Sequence, residues 1–97
     1  MLNFPVFTQV EKERVSTLQF PVNDVLSDAD QRQMRMRSLI RAMHLGNNHK
    51  RKVKIYFVDN EGDKMVETTI WLVTEENIAL KTGSVIPVSR IRAVELY

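Results

Sequence analysis

The 97-residue sequence contains no cysteine. That excludes a disulfide framework, a Cys-based zinc site, iron–sulfur ligation and thiol catalysis. It is compatible with a reducing cytoplasm. Three Gly and three Pro leave no flexible linker to divide the chain. No apolar run approaches the ~18 residues of a membrane span. Residues Met1-Leu2-Asn3-Phe4-Pro5 have no basic region, no signal-length apolar run and no small-residue cleavage site. These absences lead us to expect one domain of a cytoplasmic protein that does not enter a membrane. One more absence is local: no Asp or Glu lies between Asp30 and Asp59.

What is present fits a globular chain. Hydrophobic residues at 43% suffice for a modest core, though a domain this small leaves no deep cavity between domains. The formal charge of +2 conceals a strong imbalance. Eight of the 14 basic residues are Arg32, Arg35, Arg37, Arg41, Lys50, Arg51, Lys52 and Lys54.

Residues 1–26 read as an N-terminal arm. It has room for a short strand and lies on the domain or on a partner. Pro5 and Pro21 break any helix there, and Val15 to Phe20 alternate only imperfectly. Residues 27–45 read as an amphipathic helix. Ser27 is its expected N-cap, Asp28 and Asp30 suit the first turn, and Gly46-Asn47 is the expected stop. Met36, Leu39, Ile40 and Met43 form its apolar stripe. Arg32, Arg35 and, less closely, Arg41 fall away from that stripe.

The period then changes to two. Val53, Ile55 and Phe57 alternate with Lys52, Lys54 and Tyr56. Asp59 to Asp63 is a hairpin turn, with Gly62 where a positive φ is needed. Lys64 to Thr74 is a long β-branched strand, long enough to bend and serve two sheets. Its apolar face is Val66, Thr68, Ile70 and Leu72, with Trp71 on the other. Short strands follow at Ile78–Lys81, Ser84–Val88 and Ala93–Tyr97. A single tight turn at Ser89-Arg90-Ile91 precedes the last. The expectation is α+β: an arm, one helix, then five antiparallel strands forming a small barrel over residues 27–97. A single twisted meander capped by the helix is the alternative.

Several sequence words in this half carry a resemblance: Lys52-Val53-Lys54-Ile55-Tyr56-Phe57, Val66-Glu67-Thr68-Thr69-Ile70-Trp71, Asn77-Ile78-Ala79-Leu80-Lys81, Ile86-Pro87-Val88 and Arg90-Ile91. The chain from Leu45 onward resembles a group of short, uncharacterised proteins of Bacteroidetes-type bacteria. That likeness brings no activity. At fold level the same words are similar to Sm-like and SH3-like small barrels, and the helix-then-barrel layout resembles the small Rho-inhibiting protein of bacteria. Sm-like proteins bind RNA and assemble into rings through their fourth and fifth strands. This sequence lacks their Asp-x-x-Met-Asn and Arg-Gly words, so the likeness supports the barrel and not the role.

The candidate site is the basic stretch. Several Lys and Arg side chains on one side would neutralise phosphates. Arg32, Arg35, Arg41, Lys50, Arg51, Lys52 and Lys54 are the candidates. Tyr56 and Trp71 join them if their strands pair into a base-stacking platform. The competing readings are a solvated helix face, an edge strand guarded by lysine, and a Trp71 covered by the helix or the arm. His44 and His49, with no Cys and no nearby carboxylate, make no metal site. No phosphate loop, nucleophile elbow or dinucleotide fingerprint is present. A non-catalytic binding protein without cofactor is expected, its partner being RNA, DNA or a transcription- or RNA-linked complex met through the basic face. A protein-interaction or homo-oligomerisation module is the other reading; Phe4, Phe7, Leu18, Phe20, Met34, Met36 and Met43 are its candidate contacts.

Overall fold

A computed structural model describes residues 6–96. Phe4, Pro5 and Tyr97 lie outside the described residues. The fold is α+β, with one long helix, α1 (Ala29–His49), and seven strands in two sheets. The strands are β1 (Thr8–Gln9), β2 (Val53–Val58), β3 (Asp63–Thr68), β4 (Ile70–Val73), β5 (Asn77–Leu80), β6 (Val85–Pro87) and β7 (Ile91–Glu95). The first sheet has the order β1-β3-β2-β7 and the second β4-β5-β6. Among the described residues no strand ladder closes the two into one cylinder.

The hairpin β2–β3 follows the alternation in the sequence. Val53, Ile55 and Phe57 are buried, and Val66 faces them from β3. At its tip the Asp59 carboxylate accepts the Glu61 and Gly62 amides at 2.8 and 3.0 Å. Gly62 takes φ 139°, a conformation only glycine adopts freely. The long strand does bend. It breaks at Thr69, whose carbonyl accepts the Lys81 amide at 2.9 Å, and continues as β4 in the second sheet. Leu72 does not join Ile70 inside. Ile70 faces Leu80 while Leu72 faces Ala79, so Trp71 is an extra, bulged residue. The bulge turns Leu72 outward, leaving it 54% exposed. Pro87 ends β6, an edge strand, where its missing N–H does no harm. The tight turn before β7 covers Val88–Arg90, so β7 begins two residues earlier than expected.

Helix α1 departs from expectation at both ends. Asp28, not Ser27, occupies the N-cap position, and it makes no side-chain capping bond. The chain runs helically through Gly46, Asn47, Asn48 and His49, then stops at Lys50 with φ 53°. Gly46 is there for close approach. A Cβ on it would lie 2.3 Å from the Ile70 carbonyl oxygen and 2.9 Å from Thr69 Cγ2. The buried stripe is Arg35, Leu39, Ala42 and Gly46. Met36 and Met43 border it, and Ile40 is 39% exposed.

Residues 6–26 are built into the globule. β1 runs parallel to β3, with the Val10 amide on the Met65 carbonyl at 2.8 Å. The imperfect alternation of Val15 to Phe20 does not mark a strand: Val15–Thr17 end a 3₁₀ helix, Lys12–Thr17, that buries Val15. Phe20 packs on Phe57 with ring centroids 5.9 Å apart. Two buried arginines pin the segment beyond Phe20. Arg35 grips Asp24 through two 2.8 Å bonds and donates to the Ile91 carbonyl at 3.0 Å. Arg90 donates to the Val58 carbonyl at 3.0 Å and to the Asn23 carbonyl at 2.7 Å.

Candidate functional site

The nine candidate residues do not form one face. Arg35 is only 6% exposed and is committed to Asp24 and Ile91. The sequence placed it outward because the apolar stripe beside it looked complete without it. Its hydrogen bonds hold Asp24 below the ordinary carboxylate range, with help from the Leu26 amide and Arg32. Arg32 reaches back to the Leu26 carbonyl at 2.7 Å and lies 3.5 Å from Asp24. Arg41 comes about two and a half turns after Arg32, which puts them on opposite sides of the helix. Arg37, Arg41 and His44 share the outward side and are exposed. His49 belongs to the last helical turn and not to a loop.

Nor do Tyr56 and Trp71 make one platform. Tyr56 is in β2 of the first sheet and Trp71 in β4 of the second. The Tyr56 hydroxyl donates to Glu95 at 2.7 Å, which raises its pKa, and Phe7 meets its ring edge-on at 4.7 Å. Lys54 sits opposite Glu67 on one side and Glu95 on the other. That face carries mixed charge and is partly covered. Lys52 and Arg51 are exposed in the segment before β2, and the Arg51 amide helps to close the end of α1.

Two candidates do come together, with a third that the sequence reading missed. Trp71 is 50% exposed, so neither the helix nor the arm buries it. It lines a surface recess of about 390 Å³ with Gly46, Asn47, Lys50, Thr69 and Lys81. Each wall has a local cause. The bulge in β4 leaves Trp71 as its unpaired residue, half exposed beside Ile70. The Gly46–Ile70 contact draws the end of α1 close to β4. Lys50 leaves the helix there, its amide on the Gly46 carbonyl at 3.0 Å. Lys81 is fixed by its amide bond to Thr69. The signal for Lys81 was present: a cation just after a short strand and before the Thr82-Gly83 turn.

The recess is lined by one tryptophan, two lysines and one asparagine, and none of the described residues lining it is acidic. Such a set attracts an anion that carries a flat ring. The other buried polar cluster has a structural task. Asp59 takes the Lys64 ammonium at 2.7 Å inside the hairpin. Burial opposes its ionisation, but Lys64 and the two turn amides outweigh that and hold its pKa low, while Lys64 is pushed up. Among the described residues no three His, Cys, Asp or Glu side chains converge as a metal site would need. Among the described residues no helix is long and apolar enough to cross a membrane. No protein-family model, curated protein or solved structure matches the chain.

Proposed function

We propose that the chain is a non-catalytic, cytoplasmic binding protein associated with nucleic acid. Its scaffold is read as an open small barrel of the SH3-like and Sm-like kind. The connectivity supports that scaffold: β2, a bent β3–β4 segment, β5, β6, a 3₁₀ turn and β7 follow in order, and β7 returns beside β2. The observation that carries the function is the half-exposed Trp71 set in a recess with Lys50 and Lys81. Aromatic faces and lysines together bind bases and phosphates. The remaining cations, spread around the molecule, add a weak general attraction.

The test is binding of labelled random RNA and DNA by anisotropy over a salt series. Affinity should fall steeply with salt, since each phosphate contact releases counterions. Replacing Lys50 and Lys81 by Ala should flatten that slope by about one to two contacts. Absence of binding at low salt would remove this function.

A second reading is a module for protein contact or self-association. It is favoured by the edge strand β6, paired only with β5, and by exposed Leu72 and Val85 in the same sheet. A strand from a partner could extend such an edge. Light scattering across concentration tests it: association that Val85→Lys abolishes and Lys81→Ala leaves intact would favour this reading.

A further inference from the structure

We infer that the Trp71 recess holds one unstacked base of a single strand, with neighbouring phosphates at Lys50 and Lys81. This rests on the nucleic-acid reading and narrows it to a ligand class. Three observations lead there.

The first is the distribution of charge. A duplex is gripped by many cations spread along one side. Here Arg35 is buried, Arg32 and Arg41 are on opposite sides of α1, and Lys54 stands between Glu67 and Glu95. The exposed cations Arg37, Arg41, Arg51 and Lys52 do not line the recess. Two lysines at one recess suit a strand that passes a single point.

The second is the indole. It belongs to the unpaired residue of a bulge and is half exposed. Trp71 lines the recess. The bases of a duplex keep their faces covered by their neighbours, whereas an unpaired base can turn out and stack on an aromatic side chain.

The third is size and preorganisation. The recess, about 390 Å³, is at the small end of ligand pockets, which run about 300–1,000 Å³. It suits one base with its sugar and not a stack of pairs. The backbones of both lysines are already tied, to Gly46 and to Thr69, so the ordering left for binding is that of their side chains. Asn47 offers both a donor and an acceptor to the edge of the base.

Trp71 is the only tryptophan, so its fluorescence reports the recess alone. The experiment titrates the full chain with short single strands of RNA and DNA, with a blunt duplex of the same sequence, and with a nucleoside monophosphate. Anisotropy of labelled strands is followed in parallel, as a readout independent of the indole. Single strands should quench Trp71 and bind at least about tenfold tighter than the duplex at equal salt. Trp71→Ala should weaken single-strand binding by about 5- to 150-fold, the range for loss of one stacked base. Trp71→Phe should keep part of the affinity, and Lys81→Ala should weaken binding without abolishing the quench.

Equal quenching by the duplex would overturn the inference. So would single-strand binding that Trp71→Ala leaves unchanged, a result the broader nucleic-acid reading survives. Equal affinity for the monophosphate would make the ligand a free nucleotide and overturn the strand. No binding of any strand at low salt would remove both proposals.

Discussion

At the scale of single residues, the molecule depends on a few charges that are out of water. Arg35 and Asp24 form a two-pronged pair, and neutralising Asp24 leaves the buried Arg35 charge without that carboxylate. Asp24→Asn should therefore destabilise the fold by about 2–3 kcal/mol in urea unfolding at neutral pH. That is below the about 3–5 kcal/mol of a fully buried pair, since Asp24 keeps some solvent contact. The pH dependence has a definite sign. Asp24 and Asp59 ionise at lower pH in the folded chain than in the unfolded one. Their contribution is complete above the ordinary carboxylate range and is lost as pH falls through their folded values. Lys64 is shifted the other way, so its contribution is complete below the ordinary lysine value and fades as pH rises through the folded one. Stability should thus form a plateau that drops in acid, and Asp24→Asn should flatten the acid limb. None of this could be read locally. Asp24 is eleven residues before Arg35, on a segment with no hydrophobic period, so nothing nearby marks Arg35 as buried.

At the scale of elements, the seam between α1 and β4 is the least tolerant place. Gly46→Ala would gain about 1 kcal/mol of helix propensity. It would also push a methyl group into the Ile70 carbonyl and Thr69. Overpacking of this kind costs about 1–3 kcal/mol, and because the obstacle is backbone the upper end applies. The expected net loss is about 2 kcal/mol by thermal or urea unfolding, with a shift in Trp71 emission as the recess opens. Gly followed by Asn is a common helix stop, and that local rule competes here with a packing demand from a strand 24 residues away. The strands were more legible. Alternation placed β2 correctly because one of its faces is buried along its whole length. Between Ile70 and Leu72 the period-two reading failed for one physical reason, the bulge that inserts Trp71.

At the scale of the whole molecule, the bend of Lys64–Thr74 into two sheets was readable from its length and its β-branched residues. Residues 6–26 were read as an arm lying on the domain or on a partner, but the residues they pack on were not legible, since these are Met65, Phe57, Ser89 and Arg90, all distant in sequence. A chain restricted to residues 27–97 would lose Val15 from the core and leave Arg35 and Arg90 without Asp24 and Asn23. It should show a broad, noncooperative melt and a weakened near-ultraviolet circular dichroism spectrum. A sharp melt like that of the full chain would refute this. The two arginine grips also order events in time. Arg90 meets Asn23 across 67 residues and Arg35 meets Ile91 across 56, so these contacts have meaning only after helix and last strand have found each other. We expect them to close late in folding and to open early in unfolding. Weakening them should therefore shorten the lifetime of the native state while leaving the speed of its formation nearly untouched, which the two arms of a denaturant chevron would show.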